Sequence, residues 1–191
     1  MISNKGKIIV VSAPSGAGKT SIVQYVLKRV ENLEFSISAT TRAKRESETH
    51  GKDYYFITEE DFKRKIEANE FIEWECFYDY YYGTLKSSVD SAVNSGKSVL
   101  LEVDVKGAIS IKKDYPQAIL IFIAPPSFEI LKKRLINRKT ESDEDLRKRI
   151  ERVEMELAFE KHFDFVVVND NLTKARSETL EIIKKEINRS N

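Results

Sequence analysis

The apolar run Ile8-Ile9-Val10-Val11 is followed by Ala13-Pro14-Ser15-Gly16-Ala17-Gly18-Lys19-Thr20, and then by Ile22, Val23, Val26, Leu27 and Val30 at helical spacing. Strand, glycine-containing loop and helix in that order make a phosphate-cradling P-loop, so the chain is expected to be built around one P-loop core. Successive backbone N–H groups of such a loop face an anion, and the helix beginning near Gly18 adds the positive end of its dipole. Lys19 is expected to reach the outer phosphates of a nucleotide, and Thr20 to hold a magnesium ion. Ala13 stands where the usual pattern opens with glycine. Alanine is tolerable there at negative φ, because the crowded positions nearest the phosphates keep Gly16 and Gly18.

A chain of 191 residues suits one such domain with modest insertions and is too short for two ordinary globular domains. With 41% hydrophobic and 33% charged residues the sequence can bury a core, and a net charge of +1 gives no overall field for nucleic acid. The longest apolar stretch, Ala118 to Ala124, falls far short of the roughly 18 residues a membrane span needs, so no membrane association is expected. The lone Cys76 excludes an internal disulfide and a thiolate metal site, which suits the cytoplasm.

Alternation of patterns sets the fold class. Ser98 to Asp104, Ala118 to Ala124 and Phe165 to Val168 read as buried strands. Helical patterns follow over Val105–Lys113, Ser127–Asn137, Asp143–Lys161 and Leu172–Ile187. This predicts an α/β fold with a parallel sheet flanked by helices. Between the first helix and Ser98 the pattern changes. A short strand is expected over Phe35–Ser38, a surface loop from Thr40 to Lys52, a strand over Asp53–Ile57, a helix capped by Thr58, and a strand over Phe71–Phe77 before Tyr80-Tyr81-Tyr82-Gly83-Thr84. This mixed-β block reads as an insertion able to move on the main sheet as a substrate lid.

The P-loop, Ser38-Ala39-Thr40-Thr41-Arg42, Arg45, Gly51-Lys52-Asp53-Tyr54, Phe71-Ile72-Glu73-Trp74, Tyr82-Gly83-Thr84, Asp104 with Gly107, and Pro125-Pro126-Ser127 occur in the order and spacing of guanylate kinase, which the chain resembles over essentially its whole length. The resemblance implies a core of residues 1–37, 85–124 and 151–191, a GMP-binding subdomain of residues 38–84 and a small helical lid of residues 125–150. It implies transfer of the γ-phosphoryl group of ATP to GMP or dGMP with Mg²⁺, in purine nucleotide metabolism. Lys44 stands where the family commonly has proline and Ser47 where it has glycine, which puts the stiffness of that loop in question.

Roles follow from that likeness. On the ATP side it implicates Ala13 through Thr20, with Arg134, Arg138, Asn169 and Asp170. At the guanine it implicates Ser38, Glu73 and Thr84. A carboxylate is acceptor-only and takes both N1–H and the 2-amino group, while the hydroxyls complement the rest of the edge. Arg42, Arg45, Tyr54 and Tyr82 are expected on the acceptor phosphate. Lys19, Arg42, Arg138, Arg149 and Asp104 are the expected catalytic set, the arginines spreading transition-state charge. The sequence leaves open whether Asp104 contacts the metal's water shell or organises Lys19 and the GMP site. Glu102, commonly aspartate in the family, is read as an anchor for its neighbours. Rival readings are a non-catalytic protein-recognition module, a kinase for another phosphorylated acceptor, and an ATP-hydrolysing switch. The oligomeric state stays open.

Overall fold

The computed structural model describes residues 6–77, 79–136 and 143–189, and for 143–149 the backbone only. Strand β1 (Ile8–Ser12) is buried along its whole length. Its side chains serve two cores in alternation, as the period of a strand requires. Ile9 and Val11 pack with Ile22 and Val26 of α1 (Lys19–Leu27) and with Leu180 and Ile183 of α7 (Leu172–Asn188). Ile8 and Val10 pack on the other side, against Val89 and Ala92 of α3 (Lys86–Asn94) and Ala108 and Ile111 of α4 (Val105–Asp114). A strand covered on both faces has no solvent side, hence the uninterrupted apolar sequence.

Strands β2 (Leu33–Phe35), β7 (Ser98–Glu102), β8 (Ile119–Ala124) and β9 (Phe165–Val168) join β1 in a five-stranded sheet, ordered β2-β7-β1-β8-β9. Every pairing in it is parallel. The carboxyl ends of the central strands therefore lie together, which is where open α/β sheets bind ligands. A second, mixed sheet has the order β4-β3-β6-β5, from β3 (Ala39–Thr40), β4 (Tyr55–Phe56), β5 (Phe71–Phe77) and β6 (Tyr80–Leu85). Helix α2 (Glu59–Glu67) covers it, with Phe62 stacked on Phe71 at 4.3 Å between ring centroids. The hydroxyl of Thr58 accepts from the Asp61 N–H at 3.1 Å, capping α2. Helices α5 (Phe128–Ile136) and α6 (Asp143–Leu157) pack on each other through Leu131, Leu135 and Val153. Among the described residues no helix is long and apolar enough to cross a membrane.

Several expected boundaries shift. The strand expected over Phe35–Ser38 is β2, Leu33–Phe35, because four alternating residues cannot fix a register. The loop expected from Thr40 overlaps β3, whose two buried residues are too few to carry a period. The strand expected over Asp53–Ile57 shrinks to Tyr55–Phe56. Helix α6 stops at Leu157 instead of running to Lys161, and a single 3₁₀ turn over Glu160–His162 follows. Helix α3 had no counterpart in the sequence reading, since Val89 and Ala92 are its only buried residues. Strand β7 ends at Glu102, so Asp104 is not a strand residue. It is the N-cap of α4, its Oδ1 accepting the Gly107 N–H at 2.6 Å.

Candidate active site

The P-loop is shaped by its backbone and by what packs behind it. Gly16 and Gly18 have φ of 87° and 94°, a left-handed region in which a side chain is strained. A Cβ on Gly18 would collide with the Asn169 amide nitrogen. That nitrogen donates to the Ala17 carbonyl at 2.6 Å, so Asn169, reached from the end of β9, straps the loop from behind. Arg134 donates to the Asn169 carbonyl at 3.2 Å, and Asp170 beside it is exposed. Leu131 and Leu135 of α5 would meet a Cβ on Gly16 at 3.2 and 3.1 Å, which ties that helix to the loop. Ala13 is buried and stays outside the left-handed region, as alanine there requires.

At the start of α1, Lys19 Nζ donates to the Val103 carbonyl at 3.1 Å, and the Thr20 hydroxyl donates to Glu102 Oε1 at 2.9 Å. Among the described residues no group of three or more His, Cys, Asp or Glu side chains is arranged to hold a metal ion. Thr20 and Glu102 are two side chains with hard oxygen donors, too few to enclose a cation. A divalent cation there must take its remaining ligands from phosphate and water, the usual habit of Mg²⁺.

Across a cleft of about 800 Å³ from this loop lie Ser38, Tyr54, Glu73 and Tyr82, with Asp104 on its floor. Glu73 and Thr84 face each other across β5 and β6, and the Thr84 hydroxyl donates to Glu73 Oε1 at 2.7 Å. The other oxygen, Oε2, lies where a Cβ on Gly107 would be only 2.9 Å away, so the first turn of α4 approaches the carboxylate as only glycine allows. Burial pushes the Glu73 carboxyl up to about 7; Thr84 opposes this, and the negative charges of Asp104 and Glu75 add to it. Cys76, an exposed thiol, lines the same cleft.

Arg42 forms a two-pronged pair with Glu48, at 2.7 and 3.0 Å, and lies 5.5 Å from the Tyr54 ring centroid. Glu48 Oε2 also accepts the Arg45 N–H at 2.8 Å, which closes the loop on itself. Hydrogen bonding from Arg42 holds the Glu48 carboxyl down at about 2. Tyr54 and Tyr82 stand edge to face at 6.1 Å, while the Arg45 side chain is on the exposed surface.

Arg138 lies outside the described residues, as does the side chain of Arg149. Sequence reasoning missed three residues of the cleft lining, Glu75, Arg152 and Glu156, and also Glu48, the partner of Arg42. Arg152 and Glu156 are an i, i+4 pair on α6, a pattern that in sequence reads as a solvated helix face. Glu48 sits in a loop, where no periodicity marks a partner.

The family model described as "Guanylate kinase" matches residues 5–186. A guanylate kinase from Thermotoga maritima is 48% identical over 182 residues, covering 95% of this chain and 88% of the relative. One from Chlorobium chlorochromatii is 50% identical over 175 residues, covering 91% of this chain and 92% of the relative. The crystal structure of guanylate kinase from Anaplasma phagocytophilum superposes with a TM-score of 0.78 at 29% identity, over 100% of this chain and 90% of that one. With the P-loop and the Glu73 carboxylate lining one cleft, and with these relatives over nearly its full length, the chain belongs to the guanylate kinase family and is an enzyme, a nucleoside monophosphate kinase.

Proposed function

We propose that the protein transfers the γ-phosphoryl group of ATP to GMP, giving ADP and GDP, and that it accepts dGMP in the same way. The observation that carries this reading is the Glu73 carboxylate, held by Thr84 in the same cleft as the P-loop. Ionised, it accepts from N1–H and the 2-amino group of guanine together. Adenine would present no such donor pair and leave the carboxylate unpaired. Polar sites of this kind reject the wrong partner by about 10⁴ to 10⁵. Ser38, on the same cleft wall, supplies a hydroxyl to the base edge.

Arg42, Arg45, Tyr54 and Tyr82 take the acceptor phosphate. Arg42 already presents its planar fork to the paired oxygens of Glu48, the geometry that phosphate oxygens would use. On the donor side the loop N–H groups from Ala13 to Thr20 and Lys19 hold the β- and γ-phosphates, with Arg134 and Asn169 behind. When bound, Mg²⁺ neutralises and orients the phosphates, and Thr20 with Glu102 is the pair that would hold it. Arg138 and Arg149 on the lid complete the charge stabilisation. No side-chain nucleophile is needed, because the acceptor phosphate oxygen is already ionised and attacks in line. Asp104 organises the site: one oxygen caps α4 and the other meets Arg152 at 3.2 Å, so both are committed to protein groups. Residues 38–84 act as the acceptor-binding subdomain and 125–150 as the lid on a core formed by the rest, in a cytoplasmic enzyme of purine nucleotide metabolism.

ADP formation from ATP and Mg²⁺ with GMP, dGMP, AMP, CMP and UMP in turn tests this. Turnover with GMP and dGMP alone is the expected result. Equal turnover with AMP, or hydrolysis of ATP at the same rate with no acceptor, would overturn it.

A further inference from the structure

Arg152 has no part in the roles assigned so far, yet it occupies the point where three parts of the molecule meet. Its Nε donates to Glu156 of its own helix at 2.7 Å. Its Nη2 reaches Glu75 of the acceptor sheet at 3.1 Å and Asp104 of the core at 3.2 Å. Its guanidinium carbon stands 4.5 Å from the Phe77 ring centroid. Arg152 and Glu156 both line the cleft. Building on the function proposed above, we propose that Arg152 is a positioning residue for phosphoryl transfer: it ties the acceptor sheet, the floor of the core and helix α6 into one ionic junction that sets the acceptor against the P-loop.

The charges require such a group. Asp53 before β4, Glu73 and Glu75 on β5, Glu102 at the end of β7, Asp104 capping α4 and Glu156 on α6 bring six carboxyl groups to the cleft lining, whose only described cations are Lys19 and Arg152. Lys19 belongs to the P-loop and is bonded to Val103. The Glu156 side chain is 6% exposed and its Oε2 has no hydrogen-bond partner, so among the described residues Arg152 is the one cation paired with it. Burial and the neighbouring Asp104 push the Glu75 carboxyl up, and Arg152 opposes that. Without the guanidinium, like charges on two subdomains would face each other across the cleft just where a phosphorylated acceptor must enter, which favours opening. The P-loop contacts with the donor are made by other residues and would persist.

Steady-state kinetics of wild type, Arg152→Met, Arg152→Lys, Glu75→Gln and the Arg152→Met/Glu75→Gln pair test this, with melting temperatures taken in parallel. Arg152→Met is expected to raise KM for GMP and lower kcat, together cutting kcat/KM for GMP by about 10- to 100-fold, with KM for ATP changed by about twofold or less. Arg152→Lys, which keeps the charge and loses the fork, should recover part of that loss. In the paired variant the loss should be no greater than in Arg152→Met alone, since the two residues act as one unit. Should Arg152→Met fail to fold, Arg152→Lys carries the test with the same signs at smaller size. Wild type active on GMP, with a folded Arg152→Met variant that merely melts lower or loses kcat with KM for GMP unchanged, overturns the junction and leaves the proposed function standing. Additive losses in the paired variant overturn it too. A wild type that forms no GDP removes the proposed function and this inference together.

Discussion

The phosphate loop and the acceptor sheet face each other across one cleft but are held in shape by different forces. The loop is set by two left-handed glycines, the Asn169 strap on Ala17 and the leucines of α5 packed against Gly16. The acceptor side is set by charge: Glu73 beside Thr84, Arg42 against Glu48, Arg152 among three carboxylates. Packing and backbone geometry respond little to pH. A carboxyl pushed up to about 7 changes charge within the physiological range. On the proposed reading the donor half is preorganised and the acceptor half is electrostatically poised.

The comparison can be broken first at Lys19. Lys19→Met should cut kcat by about 10²- to 10³-fold through lost charge stabilisation, with the melting temperature nearly unchanged. A loss that depends strongly on pH between 6 and 8 would contradict the picture of a pH-insensitive donor half. Next is Glu73→Gln, for which kcat/KM for GMP should fall by about 100-fold while KM for ATP hardly moves, because a buried amide mismatches one of the two guanine donors. The same substitution has an opposite effect on stability. Glu73 is raised from 4.5 to about 7 in the folded protein, so the folded state holds the extra proton between those values and stability falls as pH rises through them. Glu73→Gln removes that penalty. Its melting temperature relative to wild type should be higher at pH 8 than at pH 5, measured without ligand.

The smallest effect belongs to Glu48. Glu48→Gln should raise KM for GMP by about fivefold or less, since an amide oxygen still accepts from the Arg42 guanidinium. Glu48 is lowered from 4.5 to about 2, so its contribution is present above 4.5 and is lost as pH falls toward 2. Acid melts between pH 5 and 3 should therefore cost the variant less than wild type. Equal acid sensitivity would mean that the pair contributes nothing to the loop.

The same division explains what the sequence disclosed. The core was legible because Ile8 to Val11 and Ile119 to Ala124 are buried on both faces and show it as unbroken apolar runs. The P-loop was legible because its glycines and lysine fall at fixed offsets. The acceptor sheet was only partly so: β3 and β4 are two residues each, too short for any periodicity. Glu73 and Thr84 came from family likeness, and their contact depends on a strand register with a shift between Phe71 and Glu73. Asp104 looked like the end of a strand because nothing local separates a strand's last carboxylate from a helix cap. Arg152 was invisible, because its partners Glu75 and Asp104 are 77 and 48 residues away in sequence.

Carboxyl ¹³C NMR of the protein labelled at glutamate, titrated from pH 4 to 9 with and without saturating GMP, tests the central claim most directly, Glu73→Gln serving to assign the resonance. A Glu73 midpoint near 7 is expected in the free protein, moving well down when guanine donates to the ionised carboxylate. A midpoint that GMP leaves in place would show that Glu73 does not read the base.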